Sequence, residues 1–470
     1  CFMKKLNQLV KCNYDIEILG IATDSRNVKE GYLFVATKGF HVDHYDFIDD
    51  AIEHGAVAVV VDRNSDFSIP TVVVSDIDKV LLSICEKFYD VSSSEFCFIG
   101  ITGTDGKTTT ATITRNLLNL YIPTAYLGTN GLFCGDDVYP TSNTTPCIEE
   151  LYRYFSVVKK HNCKVIVMEV SSEALLHHRV DSILFDVIGY TNITEDHLNI
   201  HKTIENYRNC KFQLAKLCRK DAKVFVNGDD ENCQLLTVNN VVKFGVNKEY
   251  DCVISDVTEC KDKTNFTLTY DGQSYQVYSP FQGLYNVYNV VLAWLLASSF
   301  SIPCHDLIKD LSNLPLVSGR RELFYDKRGF TVLLDYAHTE NGILNLLQSL
   351  SGYSRVIVVT GAAGGREVEK RPRIGNVLFK YSNYIVFTMD DPRFEDPKDI
   401  VSDMIGSHHD INYTFISSRP DAINFAFQNA KKGDVVAVIG KGRDNYMAVL
   451  DKRVPYSCLL YTSDAADDLT

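Results

Sequence analysis

The apolar positions of this chain fall mostly into short runs, separated by longer stretches whose apolar residues recur three and four apart. Runs of about five or six predict buried strands, and the spaced stretches predict helices packed on them. Near the N-terminus the pattern predicts a strand at 32–37 and a helix ending at 51–54, capped by Gly55. Further strands are expected at 56–61 and near 71–75. The polar run 92–95 is expected to be a linker. Beyond it, strands are predicted at 96–101, 163–170, 186–190, 223–227 and 241–245, with helices at 207–217 and 286–299 among them. Residues 251–270 and 274–278 read as an antiparallel insert. A third set of strands, at 331–335, 355–360, 384–388 and 434–439, starts after residue 322. This alternation implies mostly parallel sheets covered on both faces. No internal repeat or low-complexity segment interrupts it.

One predicted strand runs into candidate chemistry. The sequence FCFIGITGTDGKTTTATITRNLL, 96–118, reads as strand, glycine turn, Lys-Thr, helix. Gly103 and Gly106 let backbone amides approach phosphate oxygens, and the helix N-terminus adds partial positive charge. Lys107 would reach the terminal phosphates, and Thr108 would hold Mg²⁺. The strict G-x-x-x-x-G-K-S/T pattern is not met, because Ile101 stands where its first glycine would be. The flanking strand and helix still favour an ATP-binding α/β domain over a chance glycine turn beside a surface lysine.

The 470 residues allow two to four domains, and no window approaches a membrane span. The N-terminal segment has no apolar signal-peptide core. Fourteen scattered cysteines without a C-x-x-C pair point to reduced thiols and a cytoplasmic setting. Residues 458–470, CLLYTSDAADDLT, resemble a translated sequencing adapter and are set aside, so the natural C-terminus is expected to be missing. Without Asp464, Asp467 and Asp468 the formal charge of −13 becomes −10, which argues against a nucleic-acid surface.

Other segments gather around the phosphate loop. SNTTP, 142–146, is a hydroxyl and amide cluster fixed by proline. MEVSSEALLHHRV, 168–180, puts Glu169 at the end of a predicted strand. TNITEDHLNIH, 191–201, does the same for Asp196 and His197, and Lys211 follows on a helix. Strand C-termini of open α/β sheets form the ligand crevice, where a phosphate-bound metal would need such groups.

These strings, with DSR, GLYNVYN, GRRE, DYAHT, GAAGGRE..KRP, DDPR and GKGRD, run from Asp24 to Tyr446. Together they resemble the Mur ligase family, in the branch that adds a diamino acid to UDP-N-acetylmuramoyl-L-alanyl-D-glutamate. The resemblance implies three α/β domains: 1–90 for the UDP substrate, a central ATP-binding parallel sheet at 91–318, and a Rossmann-like domain at 319–457. It implies ATP and Mg²⁺ as cofactors, and the UDP-linked muramoyl dipeptide and a diamino acid as partners, in peptidoglycan precursor synthesis. A cytoplasmic monomer without membrane insertion is expected.

Residue by residue, Gly103, Thr104, Gly106, Lys107, Thr108 and Thr109 would hold the ATP phosphates. Asn286 and Asn289 would meet adenine, and Arg320, Asp335 and His338 the ribose and phosphates. Ser25 would touch the uridine diphosphate, and Thr144, Thr145, Ser172 and Arg179 the muramoyl peptide. Glu169 and His197 would bind the metal with Thr108, joined by Lys211 as a carbamate. Asp390, Asp391, Arg393, Gly440 and Asp444 would select the amino acid. Three departures stand out: Glu173 and His177 replace a family His and Gln, and Glu340 replaces a Pro.

The implied activity is acyl-phosphate chemistry without a covalent protein nucleophile. A folylpolyglutamate synthase shares the phosphate loop but not DSR or NTTP. A nucleotide switch or kinase would need no DDPR or GKGRD, and a truncated chain could be inactive. For the amino acid, Arg393 favours the distal carboxylate of meso-diaminopimelate, whereas the acids around it would suit the bare ammonium of L-lysine. The reading favours meso-diaminopimelate.

Overall fold

The computed structural model describes residues 2–38, 43–64, 66–260, 263–408 and 412–456. The tail at 458–470 therefore lies outside the described residues. Three sheets organise the chain. The first holds the parallel strands Gly20–Ala22, Tyr32–Val35, Ala56–Val61 and Thr71–Val73. Its helix Ile77–Tyr89 buries Leu81, Ile84 and Phe88 in the same cluster as Leu151, Tyr152 and Phe155 of helix Ile148–Lys160. One apolar seam thus joins the first sheet to the second. The expected linker is an ordered turn: Ser92 N donates to Glu95 Oε1 at 2.9 Å, and Lys159 Nζ lies 2.9 Å from Glu95 Oε2.

The second sheet has eleven strands. Its parallel part runs in spatial order Thr124–Gly128, Val165–Glu169, Cys97–Thr102, Phe185–Tyr190, Cys218–Asn227, Val241–Gly245 and Cys252–Glu259. Antiparallel strands extend both edges. The stretch read as an insert is therefore a continuation of the sheet: Cys252–Glu259 pairs parallel with one neighbour and antiparallel with Thr264–Tyr270. Alternating hydrophobicity marks a strand without telling which neighbour it joins. Helix Leu284–Ser298 is apolar nearly all round and buries Trp294 against Tyr270 and Tyr275. The helix expected at 207–217 ends at Phe212 and continues as a 3₁₀ turn over Gln213–Leu217.

The third sheet runs Glu322–Tyr325, Thr331–Asp335, Val435–Ile439, Val356–Thr360, Tyr384–Phe387 and Tyr413–Phe415. Only the first is antiparallel to its neighbour. Leu333, Val358 and Ala437 face helices Glu340–Gln348, Lys370–Tyr381 and Pro397–Ile405, while Val332, Val359 and Val438 face Arg419–Asn429. Burial on both faces is why these strands read as unbroken apolar runs.

Candidate active site

The strand Cys97–Thr102 runs directly into Gly103, and helix Lys107–Asn119 begins three residues after Thr104. The intervening loop cannot carry side chains at its glycines. A Cβ on Gly106, at φ +84°, would stand 2.2 Å from Asn289 Oδ1, and one on Gly103 would stand 1.8 Å from Thr191 Oγ1. Asn192 fastens the loop to the next strand end: its Oδ1 accepts from Asp105 N at 2.9 Å, and its backbone oxygen accepts from Thr104 N at 2.8 Å. The amides of the helix's first turn have no acceptor within the helix, and its residues Lys107, Thr108 and Thr109 line a cavity.

That cavity, about 350 Å³, lies at the C-terminal ends of the central strands and is roofed by the third unit. Thr104, Gly106, Lys107, Thr108, Thr109, Asn286 and Asn289 line it, with Arg320, Asp335 and His338 opposite. Thr144, Ser172, Arg179, Glu169 and His197 complete the wall. Ser25, Gly103, Thr145, Lys211 and the amino-acid set around Asp390 stand outside it.

Lys107 folds back on its own loop, donating to Gly103 O at 2.9 Å and Thr104 O at 2.8 Å. Burial holds its pKa below the ordinary lysine value, with nearby Glu169 and Asp105 opposing. Lys211 Nζ donates to Gly103 O at 2.7 Å from behind the loop, and burial, then Lys107, drive its pKa well down. A neutral amine there is the form that can add carbon dioxide. Across the interface, Arg320 Nη2 donates to Thr108 Oγ1 at 3.0 Å and its guanidinium stacks 4.4 Å over Tyr336. Thr339 Oγ1 donates to both Asp105 oxygens, at 3.1 and 2.9 Å. Asp335 shapes the third unit's rim by accepting from Arg321 N and Ala337 N, each at 2.7 Å.

Glu169 is fully buried at its strand end. Its Oε1 accepts from Tyr126 OH and from Thr129 N at 3.1 Å; its Oε2 accepts from Thr108 Oγ1 at 3.0 Å and Thr129 Oγ1 at 3.2 Å. A carboxylate touching threonine hydroxyls is a hard-oxygen set that suits Mg²⁺. Of the expected metal set, Thr108, Glu169 and His197 line the one cavity, and Lys211 stands behind the loop. His197 lies 3.5 Å from Asp196 and 3.7 Å from Glu173, and burial lowers its pKa to about 4. Burial would raise Asp196, but His197 and Lys370 carry it well below the carboxylate range.

Thr145 acts as a brace, donating to Glu169 O at 2.8 Å and accepting from Ser171 N at 3.0 Å, while Arg179 donates to Thr145 O at 3.1 Å. Ser172 Oγ meets His201 Nε2 at 3.1 Å, and Thr144 Oγ1 meets Thr129 Oγ1 at 3.0 Å. Ser25 is buried in the turn after Asp24, which Arg26 clamps.

The acids of the amino-acid segment prove to be spoken for. Asp391 Oδ1 accepts from Lys441 Nζ at 2.9 Å and Ala448 N at 2.8 Å, and Asp444 lies 3.0 Å from the same Lys441. Asp390 faces buried Arg419 at 3.7 Å and fills the space beside Gly440. Acids engaged in this way offer an incoming ammonium less than free carboxylates would. Arg393 has no side-chain ion pair among the described residues; burial and then Arg366 lower its pKa, with the charge of Asp391 opposing. Arg366, which the sequence reading passed over, lines the cavity. Its signal was its place inside the string GAAGGRE, to which no role had been given residue by residue.

Comparisons with known proteins agree along the chain. Residues 17–93 match the Mur ligase family catalytic domain, 101–297 the Mur ligase middle domain, and 319–442 the Mur ligase glutamate ligase domain. The UDP-N-acetylmuramoyl-L-alanyl-D-glutamate--2,6-diaminopimelate ligase of Caldanaerobacter subterraneus subsp. tengcongensis is 34% identical, over 97% of this chain and 96% of that protein. The chain belongs to the Mur ligase family. A solved structure of a ligase of that same name superimposes with TM-score 0.65 at 24% identity, covering 99% of both chains. MurF ligase from Thermotoga maritima in complex with ADP gives 0.63 at 21%, covering 89% of this chain and 93% of that one. At those identities the two structures speak for the fold.

Proposed function

We propose that this chain is an ATP-dependent ligase that joins a diamino acid to UDP-N-acetylmuramoyl-L-alanyl-D-glutamate, in cytoplasmic synthesis of a peptidoglycan precursor. The observation that carries this is the single cavity shared by the phosphate loop, Glu169, the Thr144 and Arg179 wall, and Arg320 with His338. The domains are taken as 1–90, 91–318 and 319–457, matching the UDP substrate, ATP and the amino acid. Full-length relatives bearing the ligase name favour this over a folylpolyglutamate synthase.

A carboxylate is a poor acyl donor. The γ-phosphoryl group therefore leaves ADP for the glutamate carboxylate, forming an acyl phosphate. The amine then attacks the carbonyl carbon, the C–O bond to phosphate breaks, and protons from the ammonium pass to solvent. Two anions must meet, and Lys107 and Arg320 supply positive charge where they do. Lys107 must swing off the two loop carbonyls to reach a phosphate. Thr108 and Glu169 would hold Mg²⁺, which would supply further charge neutralisation. Lys211 as a carbamate would place an anion behind the loop, changing its donor contact with Gly103 O. Third-unit docking excludes water from the acyl phosphate.

The amino acid is taken as meso-diaminopimelate. With Asp391 and Asp444 tied to Lys441, the free charges near the segment are Arg366 and Arg393, a fork for a distal carboxylate. The test is phosphate release with each substrate left out in turn. Release that needs ATP, the UDP-linked dipeptide and the diamino acid together supports the proposal. Release without the amine, or with a folate in place of the UDP substrate, overturns it.

A further inference from the structure

His197 sits at the cavity wall in the left-handed region, φ +54° and ψ +29°, as the residue before the one-turn helix Leu198–His201. A non-glycine residue holds that conformation only where its surroundings enforce it. On one side the enforcement is internal: Thr104 Oγ1 bonds both Thr194 N, at 3.0 Å, and Thr194 O, at 3.1 Å. On the other side it comes from a different part of the chain. Glu367 Oε1 accepts from Leu198 N at 2.7 Å, so a third-unit carboxylate caps the helix that His197 opens. Lys370 Nζ lies 3.2 Å from Asp196 Oδ1 and 2.9 Å from Glu367 Oε2. Arg373, one turn along helix Lys370–Tyr381, pairs with Glu195 at the rim. Three contacts from one segment of the third unit thus bracket His197 at positions 195, 196 and 198.

We propose that Glu367, Lys370 and Arg373 are positioning residues, which hold the His197 loop in its strained form only while the third unit is docked on the central sheet. The site is then complete in the docked state and incomplete in the undocked one. Amino-acid contacts on the third unit would thereby be coupled to the metal and phosphate side of the cavity. The coupling to catalysis rests on the proposed ligase reading; the loop restraint does not.

Hydrogen exchange and kinetics on the full chain test it, using Glu367→Ala, Glu367→Gln, Arg373→Glu and the charge swap Glu195→Arg with Arg373→Glu. Exchange across residues 194–201 should speed up by about tenfold or more in Glu367→Ala, while 97–119 stays protected. Glu367→Gln should fall between that variant and the parent, because its amide oxygen can still accept from Leu198 N. Ligation should drop in kcat with little change in the KM for ATP. Arg373→Glu, at an exposed pair, should loosen the same loop, and the swap should restore protection and rate together. Unchanged exchange at 194–201 in both Glu367→Ala and Arg373→Glu would overturn the proposal, as would a swap no better than Arg373→Glu alone. If the chain proves not to be a ligase, the exchange arm still decides the restraint.

Discussion

Replacing Arg393 by alanine should change which amino acid is used more than how fast it is joined. The backbone at Arg393 is fixed independently of its side chain. Its amide donates to Ala448 O at 3.0 Å, Leu450 N donates to its carbonyl at 2.8 Å, and its φ is +53°. Truncation should therefore leave the loop and the melting temperature in place. The guanidinium has Arg366 as a like-charged neighbour, and the nearby acids already serve Lys441 and Arg419. A distal carboxylate would meet a positive site that needs it. A hydrogen bond to a charged group contributes about 1.5–3 kcal/mol, so KM for meso-diaminopimelate should rise by about 10- to 150-fold. The reacting carbon lies elsewhere, so kcat should change by less than about threefold, the signature of lost uniform binding. L-lysine carries an ammonium towards the same two guanidinium groups, and losing one should ease its entry. The assay is phosphate release with both amino acids, separately and in competition. A preference ratio within about twofold of the parent's would refute the reasoning, as would a parent that prefers L-lysine.

Lys107→Ala should lower ligation by about a hundredfold or more while leaving the circular dichroism spectrum and melting curve unchanged. Gly106→Ala should abolish nucleotide binding in a fluorescence titration, because the new Cβ meets Asn289 Oδ1 at 2.2 Å in a φ +84° conformation. Lys211→Ala should be inactive and regain part of its rate with added short carboxylates; normal ligation without them would remove the carbamate reading. Tyr126→Phe deletes a donor to Glu169 Oε1, and should weaken Mn²⁺ binding, read by electron paramagnetic resonance on the resting protein, by about tenfold.

Short-range features of this protein were legible in its sequence because they depend on neighbours along the chain. The apolar runs at 331–335 and 434–439 marked strands buried on two faces, and the loop from Gly103 to Thr108 announced its phosphate geometry through its glycines and lysine. Glu169 was identifiable as a strand-end acid for the same reason. Which groups meet across the cavity was decided by the tertiary structure. Arg320 reaches Thr108 across 212 positions, Thr339 reaches Asp105 across 234, and Glu367 caps Leu198 across 169. No spacing rule links such positions, because their meeting depends on how one sheet docks against another. The amino-acid segment makes the point most sharply. As a string, DDPR presents two acids and a base with equal claims on a ligand. In the fold, Lys441 and Arg419 engage the acids and leave the guanidinium of Arg393 beside Arg366, a charge balance that only packing could set.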